Sequence, residues 1–484
     1  MPGIIGRQAE QAVLNKLYKQ SNAVFLALYG RRRVGKTYLI DEFFRDKGIF
    51  FELTGSKKAS KKEQLRNFFH EFLTLFPQNQ TKAAPEDWGE AFHYLHQAIE
   101  TIDQQQKIII FLDELPWLAA PRSGFLGALE YIWNRHFSRR KNLILIVCGS
   151  AASWMIKKVI NNKAGLYGRL TLSLPLYPFN LREMEQFLKA KHVELDRKQI
   201  VELFMVTGGI GAYLNHIVPG QSVAQNINQL CFRPSAPLFL EFNNLFQSLF
   251  SHSEKHLSII KALAMKRRGL TQKALLKAAN LPASGRTTEV LDELSTCGFI
   301  AALPTFGKVL KERKFRLVDE YSYFYLSWIQ PVYLAILRGS NTEYWQQIFT
   351  SSSWLSWAGY AFENTCLKHI IKIKQALGIA AVNTTAAYWQ YIPKKNSEET
   401  GAEIDLIIDR ADGCINLCEI KFCNAEFKID KAYAKNLLNK KEVFREKTGT
   451  KKSLFTTLIT PFGTIENSHY QSTVQNQITL DDLF

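Results

Sequence analysis

Acidic residues are the scarce class in this chain of 484 residues: 44 Asp and Glu stand against 61 Lys and Arg, a formal charge of +17. That imbalance excludes a basic or cationic partner as the main one and favours a polyanion, nucleic acid and DNA first. Lysines scattered over solvated faces would give the same sum, so charge alone leaves both readings open. Basic clusters stand at Arg139-Arg140-Lys141, Lys266-Arg267-Arg268, Lys311-Glu312-Arg313-Lys314 and Lys440-Lys441. Cysteines number seven, with no C-x-x-C pair. An odd count without paired spacing argues against a disulfide framework and for a reducing compartment. Cys414, Cys418 and Cys423 lie close together but lack zinc-site spacing and partner histidines. No apolar run reaches membrane-spanning length; Leu143 to Met155 comes nearest and is broken by small polar residues. The N-terminus lacks a basic-then-apolar signal pattern. A protein with no membrane partner, located in the cytoplasm, is the expectation. Internal repeats and low-complexity linkers are missing too, and the length calls for two to four domains.

What is present begins at Ala23. An apolar run, Ala23–Tyr29, ends in Gly30-Arg31-Arg32-Arg33-Val34-Gly35-Lys36-Thr37, and a helical pattern follows at once. This is the phosphate-loop pattern G-x-x-x-x-G-K-[ST] between a strand and a helix, the context it requires. Its glycines let backbone N–H groups turn inward around an anion, and the positive end of the new helix points at that anion. Lys36 is placed to reach the β- and γ-phosphates of ATP, and Thr37 to put its hydroxyl on Mg²⁺. The second element is Lys107-Ile-Ile-Ile-Phe-Leu-Asp113-Glu114, an apolar strand ending in two acids. Asp113 would order the Mg²⁺ shell and Glu114 polarise the attacking water; an acidic pair capping the next helix is the plainer alternative. The strand Leu143–Cys148 runs into Gly149-Ser150, where Ser150 would either report on the γ-phosphate or cap a helix. Arg169, in Leu166-Tyr167-Gly168-Arg169, is either a charge-neutralising catalytic arginine or a surface salt-bridge partner.

Five apolar runs, Ala23–Tyr29, Ile49–Leu53, Lys107–Leu112, Leu143–Cys148 and Leu170–Leu176, are continuous rather than alternating. Strands buried on both faces read this way, so an α/β core with a parallel sheet is expected over residues 1–177. A helical lid is expected over 178–250, broken at Thr207-Gly208-Gly209-Ile210-Gly211. Three helices and two short strands around a Pro304/Gly307 turn, the order of a winged helix-turn-helix, are expected over 251–330. A linker over 331–351 and a further α/β segment over 352–484 complete the plan.

These motifs together resemble the archaeal-type AAA+ P-loop ATPases, which are related to the STAND signalling ATPases. Ile5-Gly6-Arg7 with Glu10, GRRRVGKT at Gly30–Thr37, FLDE at Phe111–Glu114, CGS at Cys148–Ser150, LYGR at Leu166–Arg169 and TGGIGAYL at Thr207–Leu214 carry the likeness in order. The resemblance implies that Gly6 and Arg7 lie near the adenine. It also implies an oligomer if Arg169 acts on a neighbour's ATP, and permits a monomer if it acts within its own chain. The chain departs from the pattern at Gly211, where proline is usual.

The resemblance continues to the end, because many members carry a restriction-endonuclease-like PD-(D/E)XK domain behind a winged helix. Trp357–Glu363, Gly401–Asp405 and Cys418-Glu419-Ile420-Lys421 are the matching residues. The residues themselves support a site. Glu403, Asp405, Ile407 and Asp409 alternate with Ile404, Leu406 and Ile408 as a half-buried strand. Ile415–Phe422 forms another, with Glu419 and Lys421 on one face. The three-residue loop Ala411-Asp412-Gly413 makes the pair a hairpin and sets Asp405 opposite Glu419. Two carboxylates beside a lysine suit a hydrolytic Mg²⁺ site: Asp405, Glu419 and Glu363 as oxygen ligands, Lys421 on the water or phosphate. A nuclease fold kept for binding alone is the alternative. The expected recognition helix, Arg286–Glu293, carries three acids, which suits a switch at least as well as base readout.

Overall fold

Where the sequence reads as unbroken apolar runs, the chain forms β1 (Val24–Tyr29), β2 (Ile49–Thr54), β3 (Ile108–Asp113), β4 (Leu143–Gly149) and β5 (Leu172–Pro175). The structure is a computed structural model and describes residues 3–161, 166, 168–250, 252–307, 313–340, 343–394 and 399–484. Tyr167, Lys311 and Glu312, singled out in the sequence, lie outside the described residues. The chain divides into two units, Met1–Pro178 and Phe179–Phe484.

In the first unit the five strands form one all-parallel sheet in the order β2-β3-β4-β1-β5. Every residue of β3 and β4 is buried, as strands covered on both faces must be. Helices Lys61–Leu75, Trp88–Glu100 and Phe125–Arg135 cover one face, burying Phe68, Phe72, Trp88, Phe92 and Trp133 against Phe25, Ile110 and Leu145. Strand order places the C-terminal ends of β1, β3 and β4 side by side, so Gly30, Asp113-Glu114 and Gly149-Ser150 all emerge at one edge. Ligands of open α/β sheets bind at that edge.

The second unit starts with helices Leu181–Ala190, Arg197–Thr207, Val223–Cys231 and Glu241–Leu249. Helices Glu254–Ala264, Gln272–Ala278 and Gly285–Thr296 come next. They are tied to a three-stranded antiparallel sheet, β6 (Leu270–Thr271), β7 (Ile300–Leu303) and β8 (Lys314–Leu317), in the order β6-β8-β7. The described residues of 331–351, a stretch expected as a linker, are folded instead. Helices Tyr333–Leu337 and Tyr344–Ile348 occupy this stretch, and Trp345 is fully buried. Its ring stacks on Phe232 at 5.3 Å and its backbone N–H donates to Asn228 Oδ1 at 3.1 Å. A run this aromatic finds partners rather than remaining solvated.

The last sheet combines β9 (Thr384–Tyr391), β10 (Ala402–Arg410), β11 (Cys414–Ile420), β12 (Ser453–Ile459) and β13 (Asn476–Ile478). Their order is β13-β12-β11-β10-β9, antiparallel from β9 to β11 and parallel from β11 to β13. The hairpin register is the expected one: Leu406 faces Cys418 and Asp409 faces Ile415, which brings Asp405 opposite Glu419. Gly413 supplies the left-handed residue of the turn, φ 80°. Among the described residues, no helix is long and apolar enough to cross a membrane.

Candidate nucleotide site and acidic pocket

The phosphate loop is built by close approach and by charge. A side chain at Gly30 would meet the Leu176 carbonyl oxygen at 2.2 Å, so only glycine lets the loop leave β1 beside the strand edge. Helix Lys36–Phe44 starts directly after Gly35. Lys36 is buried, and its Nζ donates to the carbonyls of Gly30 and Arg31, each at 3.0 Å. This folds the lysine across the loop that Arg31, Arg32, Arg33 and Val34 complete. Thr37 Oγ1 donates to Asp113 Oδ2 at 2.6 Å, so the two groups expected to share Mg²⁺ are in contact. Asp113 Oδ1 accepts the Glu114 backbone N–H at 2.8 Å.

Glu114 sits in the left-handed region, φ 46°, a strained position for a residue with a side chain. It precedes helix Leu115–Leu118 yet makes no capping hydrogen bond with its side chain. The strain aims its carboxylate elsewhere: Ser150 Oγ donates to both carboxylate oxygens at 2.8 Å. Ser150 does not cap the following helix, whose N-cap is Ala151 without a side-chain bond. The Ser150–Glu114 link was not read from the sequence, where the two residues are 36 positions apart and only strand order joins them.

Arg7 is also left-handed, φ 59°, and buried. Its guanidinium donates to the Tyr177 carbonyl at 2.6 Å and to the Val34 carbonyl at 3.2 Å, tying the N-terminal segment to the loop. Gly6 precedes it and accepts from Gln11 Nε2 at 2.7 Å. Arg169 is exposed and stands two residues before Thr171, which precedes β5 and whose backbone N–H donates to the Phe25 carbonyl near the start of β1. Five residues of strand separate that level from Gly30, roughly 17 Å. Arg169 therefore lies at the opposite end of the sheet from the loop of its own chain.

The second constellation lies within the second unit, around a cavity of about 380 Å³ lined by Glu363, Glu403, Asp405, Glu419, Lys421 and their neighbours. Glu363 comes from helix Ser352–Lys368, the rest from β10, β11 and the residue after β11. The β10–β9 pairing shifts register between Ile404 and Ile407, an irregularity that re-aims the strand at Asp405. Asp405 Oδ2 accepts the Ile420 backbone N–H at 2.9 Å. Burial, then the charges of Glu419 and Glu363, push the Asp405 carboxyl up to about 7. Glu419 is buried as well, but Lys421 at 2.8 Å and Lys440 at 2.6 Å outweigh that burial and hold it below the ordinary range. Glu363 is raised by burial against the pull of Arg316, 2.7 Å away.

Four partners in this pocket had gone unread: Arg268, paired with Glu403 at 2.8 Å, Arg316, Lys440, and Tyr388, which donates to Glu403 at 2.8 Å. Lys440 and Arg268 carry a signal as members of basic clusters, whereas Arg316 and Tyr388 lie in strands with nothing local to mark them. Among the described residues, no three His, Cys, Asp or Glu side chains are arranged to hold a metal ion. The pocket's carboxylates are hard oxygen donors that would suit a divalent cation, provided that Glu419 and Glu363 exchange their cationic partners for it.

Known proteins bear on the first constellation. The chain is 25% identical over 413 residues to an uncharacterized protein of Methanocaldococcus jannaschii, covering 83% of each. Among solved structures it is similar to a Walker-type ATPase of Pyrococcus abyssi, at 18% identity and TM-score 0.49, covering 67% of this chain and 96% of that one. A likeness to the ORC2 protein of Aeropyrum pernix has 16% identity and TM-score 0.42, covering 70% and 96%. Residues 5–217 match the family described as an ATPase domain predominantly from Archaea. That match spans the loop, the Asp113-Glu114 pair and Ser150, and the parallel sheet is the one such a domain needs. Over residues 5–217 this chain is similar to archaeal-type ATPase domains, and the phosphate-loop pattern lies inside that stretch.

Proposed function

We propose that ATP binding and hydrolysis in this chain control a metal-dependent nuclease, with DNA as substrate, housed in residues 352–484. The observation that carries the second half is the meeting of Asp405, Glu419, Lys421 and Glu363 around one cavity. On this reading Thr37 and Asp113 hold the Mg²⁺ of ATP, and Glu114 polarises water. Asp405 and Glu419, with Glu363, hold a second Mg²⁺, which would supply Lewis-acid activation of the phosphodiester. Lys421 places the nucleophilic water or steadies phosphate charge. Gly6 and Arg7 stand on the base side of the ATP, and Arg169 serves a neighbouring copy, since its own loop is at the far end of the sheet.

The three helices and β6–β8 are read as a winged helix acting as a switch. The exposed face of helix Gly285–Thr296 carries Glu289 and Asp292 against a single Arg286, a poor surface for phosphates. Non-specific affinity for DNA would come from the dispersed charge of +17 and fall steeply with salt.

A second reading, a pocket that binds without cutting, is favoured by one observation. Glu363, Glu403 and Glu419 each sit in an ion pair. Plasmid DNA incubated with Mg²⁺ or Mn²⁺, with and without ATP, separates the two. Cleavage lost in Asp405→Ala supports the nuclease, whereas binding without cleavage under every condition supports the second reading.

A further inference from the structure

The pocket's charges come from two places. Glu363, Glu403, Asp405 and Glu419 face Lys421 and Lys440 from their own α/β segment, but also Arg268 and Arg316 from the helix-and-strand module before it. Arg268 stands in the turn between helix Glu254–Ala264 and β6, and Arg316 in β8. Arg316 is buried, and its guanidinium also reaches the Tyr360 carbonyl at 3.4 Å. Backbone bonds fix the module in place. Phe306 N–H donates to the Tyr388 carbonyl at 2.9 Å, and Tyr388 N–H donates to the Pro304 carbonyl at 3.0 Å. Asn364 Nδ2 donates to the Leu317 carbonyl at 3.0 Å.

With Asp405 ionised, as a metal ligand must be, four carboxylates against four cations make a neutral pocket. A divalent cation entering it would leave two uncompensated positive charges in a largely buried space, which low polarity makes unfavourable. Losing Lys421 and Lys440 would strip the segment of the lysine proposed to act on the water or phosphate and of the second cation that holds Glu419. Losing Arg268 and Arg316 removes two charges from a single module, the number a divalent cation brings. We propose that Arg268 and Arg316 are an autoinhibitory latch: they occupy the acidic pocket in place of a divalent metal ion, and the pocket loads metal when the module withdraws. This rests on the reading of the pocket as a nuclease centre.

The test measures Mn²⁺ binding to the full chain without nucleotide or DNA, by the electron paramagnetic resonance of free Mn²⁺. Arg268→Gln should tighten binding by about tenfold, as removal of one nearby positive charge does, and Arg268→Gln/Arg316→Gln by more. Adding Asp405→Asn should abolish the gain, placing it in this pocket rather than at Thr37 and Asp113. Circular dichroism and thermal unfolding verify folding; should Arg316→Gln misfold, the more exposed Arg268 decides alone. Unchanged or weaker affinity in folded Arg268→Gln overturns the latch, because the arginine then does not compete with metal. Tighter Mn²⁺ binding without cleavage of any DNA leaves the latch standing and removes the nuclease. Cleavage by wild type with no affinity gain in the variants does the reverse.

Discussion

The two polar centres of this protein carry opposite kinds of electrostatic preparation. At the phosphate loop, Lys36 holds two backbone carbonyls, weak partners that an ATP phosphate can displace. In the acidic pocket, Glu363, Glu403 and Glu419 are each matched by a cation. The first centre is poised for a ligand, and the second is satisfied until something exchanges its partners. A nucleotide site that must turn over gains from the first arrangement. A centre proposed to cut a polymer would be safer with the second.

The largest effect that separates them is expected at Glu114. Glu114→Gln keeps the shape and the Ser150 contact but removes the base, so ATP turnover should fall roughly 10² to 10⁴-fold with Mg·ATP affinity intact. Steady-state hydrolysis and fluorescent-ATP titration measure the two, and normal turnover contradicts the role. Lys36→Ala removes a charged contact to the phosphates and should weaken ATP binding about tenfold to a hundredfold. Ser150→Ala removes the hydroxyl donor from the Glu114 carboxylate but keeps the backbone N–H at 3.4 Å, and should change kcat by less, about tenfold at most. A wild-type kcat there would mean that the Ser150 contact has no part in positioning the acid.

The smallest expected effect is in stability and belongs to the pocket. The folded Asp405 carboxyl keeps its proton up to about pH 7, whereas an unfolded aspartate loses it near the ordinary value of 3.8. Between those values the unfolded state binds fewer protons, so this residue makes stability fall as pH rises, and the loss is complete above about 7. Asp405→Asn should therefore match wild type near pH 4 and unfold at a higher temperature than wild type at pH 8. Equal unfolding temperatures at pH 8 would show that burial does not penalise the charged carboxylate.

How much of this was legible depended on distance along the chain. The five parallel strands, the phosphate loop and the Asp113-Glu114 pair are written in local runs, and each lies where the runs put it. The Asp405–Glu419 register could be read because one short loop fixes it. Arg316 to Glu363 and Glu114 to Ser150 could not, since 47 and 36 residues separate the partners and only tertiary packing joins them. The supposed linker was misread because aromatic density without clear periodicity looks like neither helix nor strand, although it has nowhere to go but a core.

Control of chemistry in the pocket by ATP at the phosphate loop is the central claim to test. Supercoiled plasmid with Mn²⁺, incubated with and without ATP, measures this in wild type, Lys36→Ala and Asp405→Ala. The expected result is metal-dependent cleavage by wild type at a rate that ATP changes. Lys36→Ala should lose the ATP response, and Asp405→Ala the cleavage itself. Cleavage undiminished in Asp405→Ala, or none by wild type with either Mg²⁺ or Mn²⁺ in the presence or absence of ATP, would contradict it.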